Sequence, residues 1–168
     1  MTATPRVVLV GPMGAGKSTV GALLADAWGV PVRDTDADIE ALEGRSISDI
    51  FVDSGEAHFR DLERKAVAEA LATHDGVLSL GGGAVLDPAT RDLLAGHPVV
   101  FLKVGLAEAV KRVGLGSSRP LLLGNVRSRI KALLDERTPV YESVATLTVD
   151  TDGRTPEDVV AAIRGALG

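Results

Sequence analysis

Short β-branched and apolar runs alternate along this chain with stretches whose apolar residues recur every three or four positions. The first run spans Val7 to Val10, and after it Val20, Leu23, Leu24, Ala27 and Trp28 fall on one helical face, which Gly29 stops. A short strand is expected around Val30 to Asp34, and Asp36-Ala37-Asp38-Ile39-Glu40 reads as a helix start. A small helical stretch, Ser46 to Phe51, precedes Asp53-Ser54-Gly55-Glu56, where Asp53 is expected to cap and Glu56 to reciprocate. Beyond it Phe59, Leu62, Ala66, Val67, Ala70 and Leu71 form one stripe.

A third strand, Gly76 to Leu80, ends in Gly81-Gly82-Gly83. A fourth runs from Pro98 to Val104 and leads into a helix carrying Leu106, Ala109, Val110 and Val113. The soft segment Gly114-Leu115-Gly116-Ser117-Ser118 follows, closed by Arg119-Pro120. A helix from about Val126 to Tyr141, a strand near Leu147 to Val149 and a final helix opened by Thr155-Pro156 complete the pattern. Strands alternating with helices predict an α/β fold, a doubly wound sheet of five parallel strands flanked by helices. With no repeat or linker, residues 1–168 read as a single domain. Ligands of such sheets sit beyond the carboxyl ends of the strands, so the strand-to-helix junctions carry the information.

The first junction is the plainest. Gly11-Pro12-Met13-Gly14-Ala15-Gly16-Lys17-Ser18 is a complete phosphate-binding loop, set between a strand and a helix. Its glycines let backbone N–H groups turn toward phosphate oxygens. Lys17 reaches the β- and γ-phosphates of a nucleoside triphosphate, Ser18 suits Mg²⁺, and the helix adds its positive end.

Other junctions offer less specific groups. The third strand ends without an acid, so Asp34, at the end of the second, is the nearest candidate for a metal carboxylate. Asp36 could accept a proton from an attacking hydroxyl, and the bland alternative is that both acids cap the next helix. Arg137 falls in phase with Val126, Ile130, Leu133 and Leu134, which places a cation on an inward face that requires an anion. That anion is either an internal carboxylate or a ligand, the remaining alternative being a side chain that snorkels to water at the helix end. Arg60, with Glu63 one turn on, resembles it more weakly, and two such arginines could clamp a small acid. The glycine triplet lets backbone approach a ligand, and Gly114 to Pro120 reads either as a lid bearing one cation, Arg119, or as a surface loop with a solvated arginine. Trp28 reads as core, whereas His58, His74 and His97 lack ligand spacing and are expected to face solvent.

Composition narrows the choices. Hydrophobic residues make up 45% and charged residues 24%, ordinary for a globular chain. A net charge of −5 with interspersed signs argues against a nucleic-acid platform. The absence of cysteine excludes disulfides, thiolate zinc sites and cysteine nucleophiles. Apolar runs are too short to span a bilayer, so the reading is a cytoplasmic protein.

Taken in order, several motifs resemble the shikimate kinase family over nearly the whole chain. They are the loop Gly11 to Ser18, Asp34-Thr35-Asp36 with Ile39-Glu40, Phe59-Arg60 with Glu63, the glycine triplet, Arg119-Pro120-Leu121-Leu122, and Arg137-Thr138-Pro139-Val140-Tyr141. The resemblance implies a P-loop fold like that of nucleoside monophosphate kinases, with a shikimate-binding segment at about 34–63 and a lid at about 112–124. It implies transfer of the γ-phosphoryl of ATP to the 3-hydroxyl of shikimate, with Mg²⁺ as cofactor, in the synthesis of chorismate and aromatic amino acids. By the same resemblance Lys17, Asp36 and Arg119 are catalytic. Gly14, Ala15, Gly16, Lys17, Ser18, Thr19, Arg112, Arg119, Arg154 and Pro156 meet ATP, and Ser18 and Asp34 hold the metal. Asp36, Arg60, Gly81, Gly82, Gly83 and Arg137 hold shikimate. Its partners are then small molecules, with no nucleic acid or membrane, and the chain acts as a monomer. The rival readings are a gluconate or nucleoside monophosphate kinase, and a nucleotide-dependent switch.

Overall fold

The structure, a computed structural model, describes residues 4–114 and 123–168. Five strands form one parallel sheet: β1 (Val7–Val10), β2 (Val32–Asp34), β3 (Val77–Ser79), β4 (Val99–Lys103) and β5 (Leu147–Asp150), in the order β2-β3-β1-β4-β5. The strand that feeds the phosphate loop is therefore the central one. Register places Leu9 opposite Ser79 and Ser79 opposite Asp34, so the ends of β1, β3 and β2 face one region.

The described helices are α1 (Lys17–Trp28), α2 (Thr35–Glu43), α3 (Ile47–Ser54), α4 (Glu56–Thr73), α5 (Pro88–Leu94), α6 (Leu106–Gly114), α7 (Leu123–Val144) and α8 (Pro156–Leu167). Alternation along β1 sorts its side chains between the two faces of the sheet. Val7 and Leu9 join Val20 and Leu24 of α1 and Val159 and Ile163 of α8, while Val8 and Val10 join Val67 and Leu71 of α4 and Tyr141 of α7. All four β1 residues are buried. Truncating a core leucine such as Leu9 or Leu24 would cost about 2–5 kcal/mol. A smaller cluster of Ile39, Ile50 and Phe59 binds α2, α3 and α4 into a lobe beside the sheet.

Local expectations mostly hold. Gly29 ends α1 with φ 65°, its N–H bonded to the carbonyls of Ala25 and Asp26. Thr155 and Asp158 form a reciprocal capping box ahead of α8. Trp28 is half-buried at the core's edge, with the Arg6 guanidinium 4.2 Å from its ring centroid.

Five details differ. Asp53 caps nothing: α3 runs through Ser54, α4 starts from Gly55, and the Asp53 carboxylate pairs with Arg45 at 3.4 Å. Two helices separated by a single glycine leave no extended residue ahead of a capping box. His74 is buried rather than solvated, its ring nitrogen Nε2 3.0 Å from the Val77 carbonyl where the chain turns into β3. His97 is half-buried, and Ala27 faces solvent while α1 buries Gly21 and Ala25. Finally, a 3₁₀ turn over Ala84–Leu86 and α5 follow the triplet, three and seven residues long. Neither is long enough to show a periodic stripe.

Candidate active site

The phosphate loop owes its shape to glycines. Gly14 and Gly16 have φ of 84° and 93°, and a Cβ on Gly11 would stand 2.7 Å from the Leu102 carbonyl oxygen. Gly16 is the residue from which α1 departs. Lys17 Nζ donates to the carbonyls of Gly11 at 2.6 Å and Pro12 at 3.1 Å. Burial pushes this amine down to about 8, and the nearby Asp36 and Asp34 carboxylates oppose the shift. It therefore remains mostly charged at neutral pH.

At the end of β2, Asp34 Oδ1 accepts from the backbone N–H groups of Asp36 at 2.8 Å and Ala37 at 3.4 Å. Asp34 thus caps α2, as the bland alternative held, but with one oxygen. Asp36 differs: its Oδ1 is buried with no partner among the described residues. Burial, then the charge of Asp34, pushes its carboxyl up, and Lys17 pulls it part way back. A buried acceptor without a donor costs about 1–3 kcal/mol, a cost a bound hydroxyl would remove.

The triplet after β3 is where three charged side chains converge. A Cβ on Gly81 would lie 2.6 Å from Asp36 Oδ1, and one on Gly83 would lie 2.6 Å from an Arg60 terminal nitrogen. A Cβ on Gly82 would stand 3.6 Å from Arg137 Nη1. Gly81 and Gly83 leave room for the acid and for Arg60, whereas a Cβ on Gly82 would make only ordinary contact with Arg137. Arg60 Nη1 donates to Glu63 Oε1 at 2.8 Å, and Glu63 is itself buried. Burial pushes the Glu63 carboxyl up while Arg60 opposes the shift. Arg137 Nε, by contrast, is buried with no partner among the described residues, which favours a ligand over an internal carboxylate as its anion.

These groups share one cavity of about 560 Å³, lined by the phosphate loop on one side and by Asp36, Arg60, Arg137 and the triplet on the other. Phe59, Ile130 and Leu134 supply an apolar wall, and Leu133, expected inward, is 42% exposed at the cavity. A second cavity of about 310 Å³ adjoins it across Gly14, Gly16 and Thr19, and contains Arg112, Arg154 and Pro156. Arg112 donates to the Gly14 carbonyl at 2.9 Å and to the Thr151 hydroxyl and carbonyl, each at 3.3 Å, and pairs with Glu108 at 3.2 Å. Sequence reasoning missed Thr151 and Glu108. A glutamate four residues before an arginine on one helix was the available signal for Glu108. Arg154 is exposed on the β5–α8 turn. Arg119 and most of the expected lid lie outside the described residues.

Among the described residues no group of three or more His, Cys, Asp or Glu could hold a metal unaided. The residues present nevertheless fit Mg²⁺, which keeps waters and takes one or two carboxylates plus substrate phosphates. Asp34 Oδ2 has no protein donor among the described residues, and the orphaned Asp36 Oδ1 adds a second anionic group nearby. Ser18, on the first turn of α1, lines the same cavity.

Comparison with known proteins agrees with this geometry. The family model described as "Shikimate kinase" matches residues 13–167. A shikimate kinase of Thermobifida fusca is 58% identical over 167 residues, 99% of this chain and 97% of the relative. One of Salinispora arenicola is 59% identical over 163 residues, 97% of this chain and 98% of the relative. Among solved structures, a shikimate kinase from Acinetobacter baumannii in complex with shikimate superposes with a TM-score of 0.89 at 34% identity, covering 98% of this chain and 93% of that one.

Proposed function

The chain belongs to the shikimate kinase family of ATP-dependent kinases, and on that premise we propose how its own residues carry the transfer. The γ-phosphoryl of ATP passes to the 3-hydroxyl of shikimate, giving shikimate 3-phosphate and ADP on the route to chorismate. The observation that carries the reading is the shared cavity, in which Lys17 and the phosphate loop face Asp36, Arg60 and Arg137 across the glycine triplet.

ATP lies over the loop with its β- and γ-phosphates against the N–H groups of Gly14 to Thr19 and the Lys17 amine. Its base enters the second cavity beside Arg112, Arg154 and Pro156. Shikimate occupies the other side, its carboxylate held by Arg60 and Arg137 and by backbone at Gly81, Gly82 and Gly83. Arg137 supplies an unspent guanidinium N–H, and Glu63 holds Arg60 in place.

Asp36 binds the shikimate hydroxyls and accepts the proton of the 3-hydroxyl as its oxygen attacks the γ-phosphorus. The bond from γ-phosphorus to the β–γ bridging oxygen breaks in line and ADP leaves with that electron pair. A carboxyl raised by burial is better matched to this proton than an ordinary aspartate. Lys17, and Arg119 from the lid, meet the charge on the γ-oxygens. Ser18 and Asp34 would hold Mg²⁺, which would supply Lewis-acid stabilisation of the transferring phosphoryl group. No described helix is long and apolar enough to cross a membrane. In this reading the protein is a cytoplasmic monomer acting on small molecules.

The test is ADP formation from Mg²⁺-ATP with shikimate, gluconate, AMP or CMP, with the product identified by mass. Strong stimulation by shikimate alone is expected. Stimulation by another acceptor would discard the roles of Arg60 and Arg137, and ATP binding without acceptor-dependent turnover would favour a switch.

A further inference from the structure

Tyr141 is the chain's single tyrosine and is fully buried on α7. Its ring packs on Phe101 of β4 with centroids 5.0 Å apart and planes tilted by 33°. A phenylalanine would fill that space equally well. The hydroxyl is therefore the informative atom, and it donates to the Gly82 carbonyl at 2.5 Å.

Gly82 is a meeting point. A side chain there would come within 3.7 Å of the Gly11 carbonyl oxygen and 3.8 Å of the Met13 nitrogen, both in the phosphate loop, and 3.6 Å of Arg137. Arg137 lies one turn before Tyr141 on the same helix, so the two residues share a face. No protein partner fixes Arg137 Nε among the described residues. The arginine's position is then set by where α7 sits against the triplet. Among the described residues no other hydrogen bond joins α7 to Gly81, Gly82 or Gly83. Arg137 also pulls against the burial that pushes the Tyr141 hydroxyl up, which agrees with their proximity.

We propose that Tyr141 is a positioning residue for the acceptor: its hydroxyl ties α7 to the Gly82 carbonyl and so holds the Arg137 guanidinium in register with the phosphate loop. The proposal rests on the reading of Arg137 as a ligand of the shikimate carboxylate.

Tyr141→Phe keeps the ring and removes only the donor. It should raise the KM for shikimate about three- to tenfold, the size of one lost hydrogen bond, with the KM for ATP within twofold. Added to Arg137→Ala, it should raise the shikimate KM no further, because its effect runs through that arginine. Phe101→Leu loosens the same packing without touching the hydroxyl and should lower Tm while leaving the ratio of the two KM values unchanged. The lone tyrosine allows a check on the intact protein: 3-fluorotyrosine incorporation gives one ¹⁹F resonance. Shikimate should move it more than Mg²⁺-ADP does.

Equal rises in both KM values, additivity with Arg137→Ala, or a resonance indifferent to shikimate would each overturn the proposal. If Arg137→Ala itself leaves the shikimate KM unchanged, the carboxylate reading falls and the proposal falls with it. If only that variant raises it, the proposal fails alone.

Discussion

The two halves of the cavity are built in opposite ways. On the nucleotide side two cations already have protein partners: Lys17 bonds to two carbonyls of its own loop, and Arg112 bonds to Gly14, Thr151 and Glu108. On the acceptor side Asp36 Oδ1 and Arg137 Nε have none among the described residues. The first half is a cradle shaped by backbone, with Lys17 and Arg112 held by protein groups before ATP arrives. The second carries polar groups whose burial costs stability until a hydroxylated acid satisfies them.

The sharpest break in this contrast is Lys17→Ala. It should fold normally and lose about 10³-fold or more in kcat, measured as shikimate-dependent ADP release. Undiminished turnover would remove Lys17 from the mechanism.

Asp36→Asn should lower kcat by about 10²- to 10⁴-fold while raising Tm at neutral pH. The folded protein holds the Asp36 pKa above its unfolded value, so above the folded pKa the native state carries the full cost of the buried charge. That cost fades as pH falls through the folded pKa and is gone below the unfolded value near 4. The Tm gain of the variant should shrink over the same window, as melts from pH 8 to pH 3 would show. A variant less stable at pH 8 would contradict the buried charge.

Gly81→Ala and Gly83→Ala divide the acceptor half itself. The first pushes on the Asp36 carboxylate and should depress mainly kcat, by about 10²-fold for an ångström of misplacement. The second pushes on the flexible end of Arg60 and should raise mainly the shikimate KM, about tenfold. Reversed effects would mean the two glycines do not guard those groups. Smallest is Arg112→Ala: the KM for ATP should rise several-fold, as expected for lost hydrogen bonds, and the KM for shikimate should stay put. A shikimate effect would couple the halves more tightly than their geometry implies.

The same contrast explains how much could be read from the sequence. The phosphate loop is local: eight consecutive residues carry its glycines, lysine and hydroxyl, and the strand before it and helix after it were legible with it. The acceptor half is assembled from α2, α4, the triplet and α7, so its contacts join residues such as Asp36 and Gly81 that are far apart in sequence. Spacing showed a glycine triplet at a strand end and an arginine in phase with leucines. It could not show which charge each glycine faces, or that Asp34 commits one oxygen to capping α2. The errors share a cause. Asp53 fits a capping box in isolation, and only the abutting α3 removes it. His74 looks polar until the chain folds Val77 against it.

The triplet would leave a distinct mark in a library of random substitutions. Gly165, inside α8 with nothing within 4 Å of an added Cβ, should accept alanine freely. Position 81 should be a nearly empty column and position 83 a thinned one, with full recovery calling for a compensating change at a distant site: a shorter cation at position 60 for position 83, a withdrawn acid at position 36 for position 81. Only the first pair leaves the chemistry in place. Drift in this stretch would then come mainly as linked double changes at position 83 and be closed altogether at position 81.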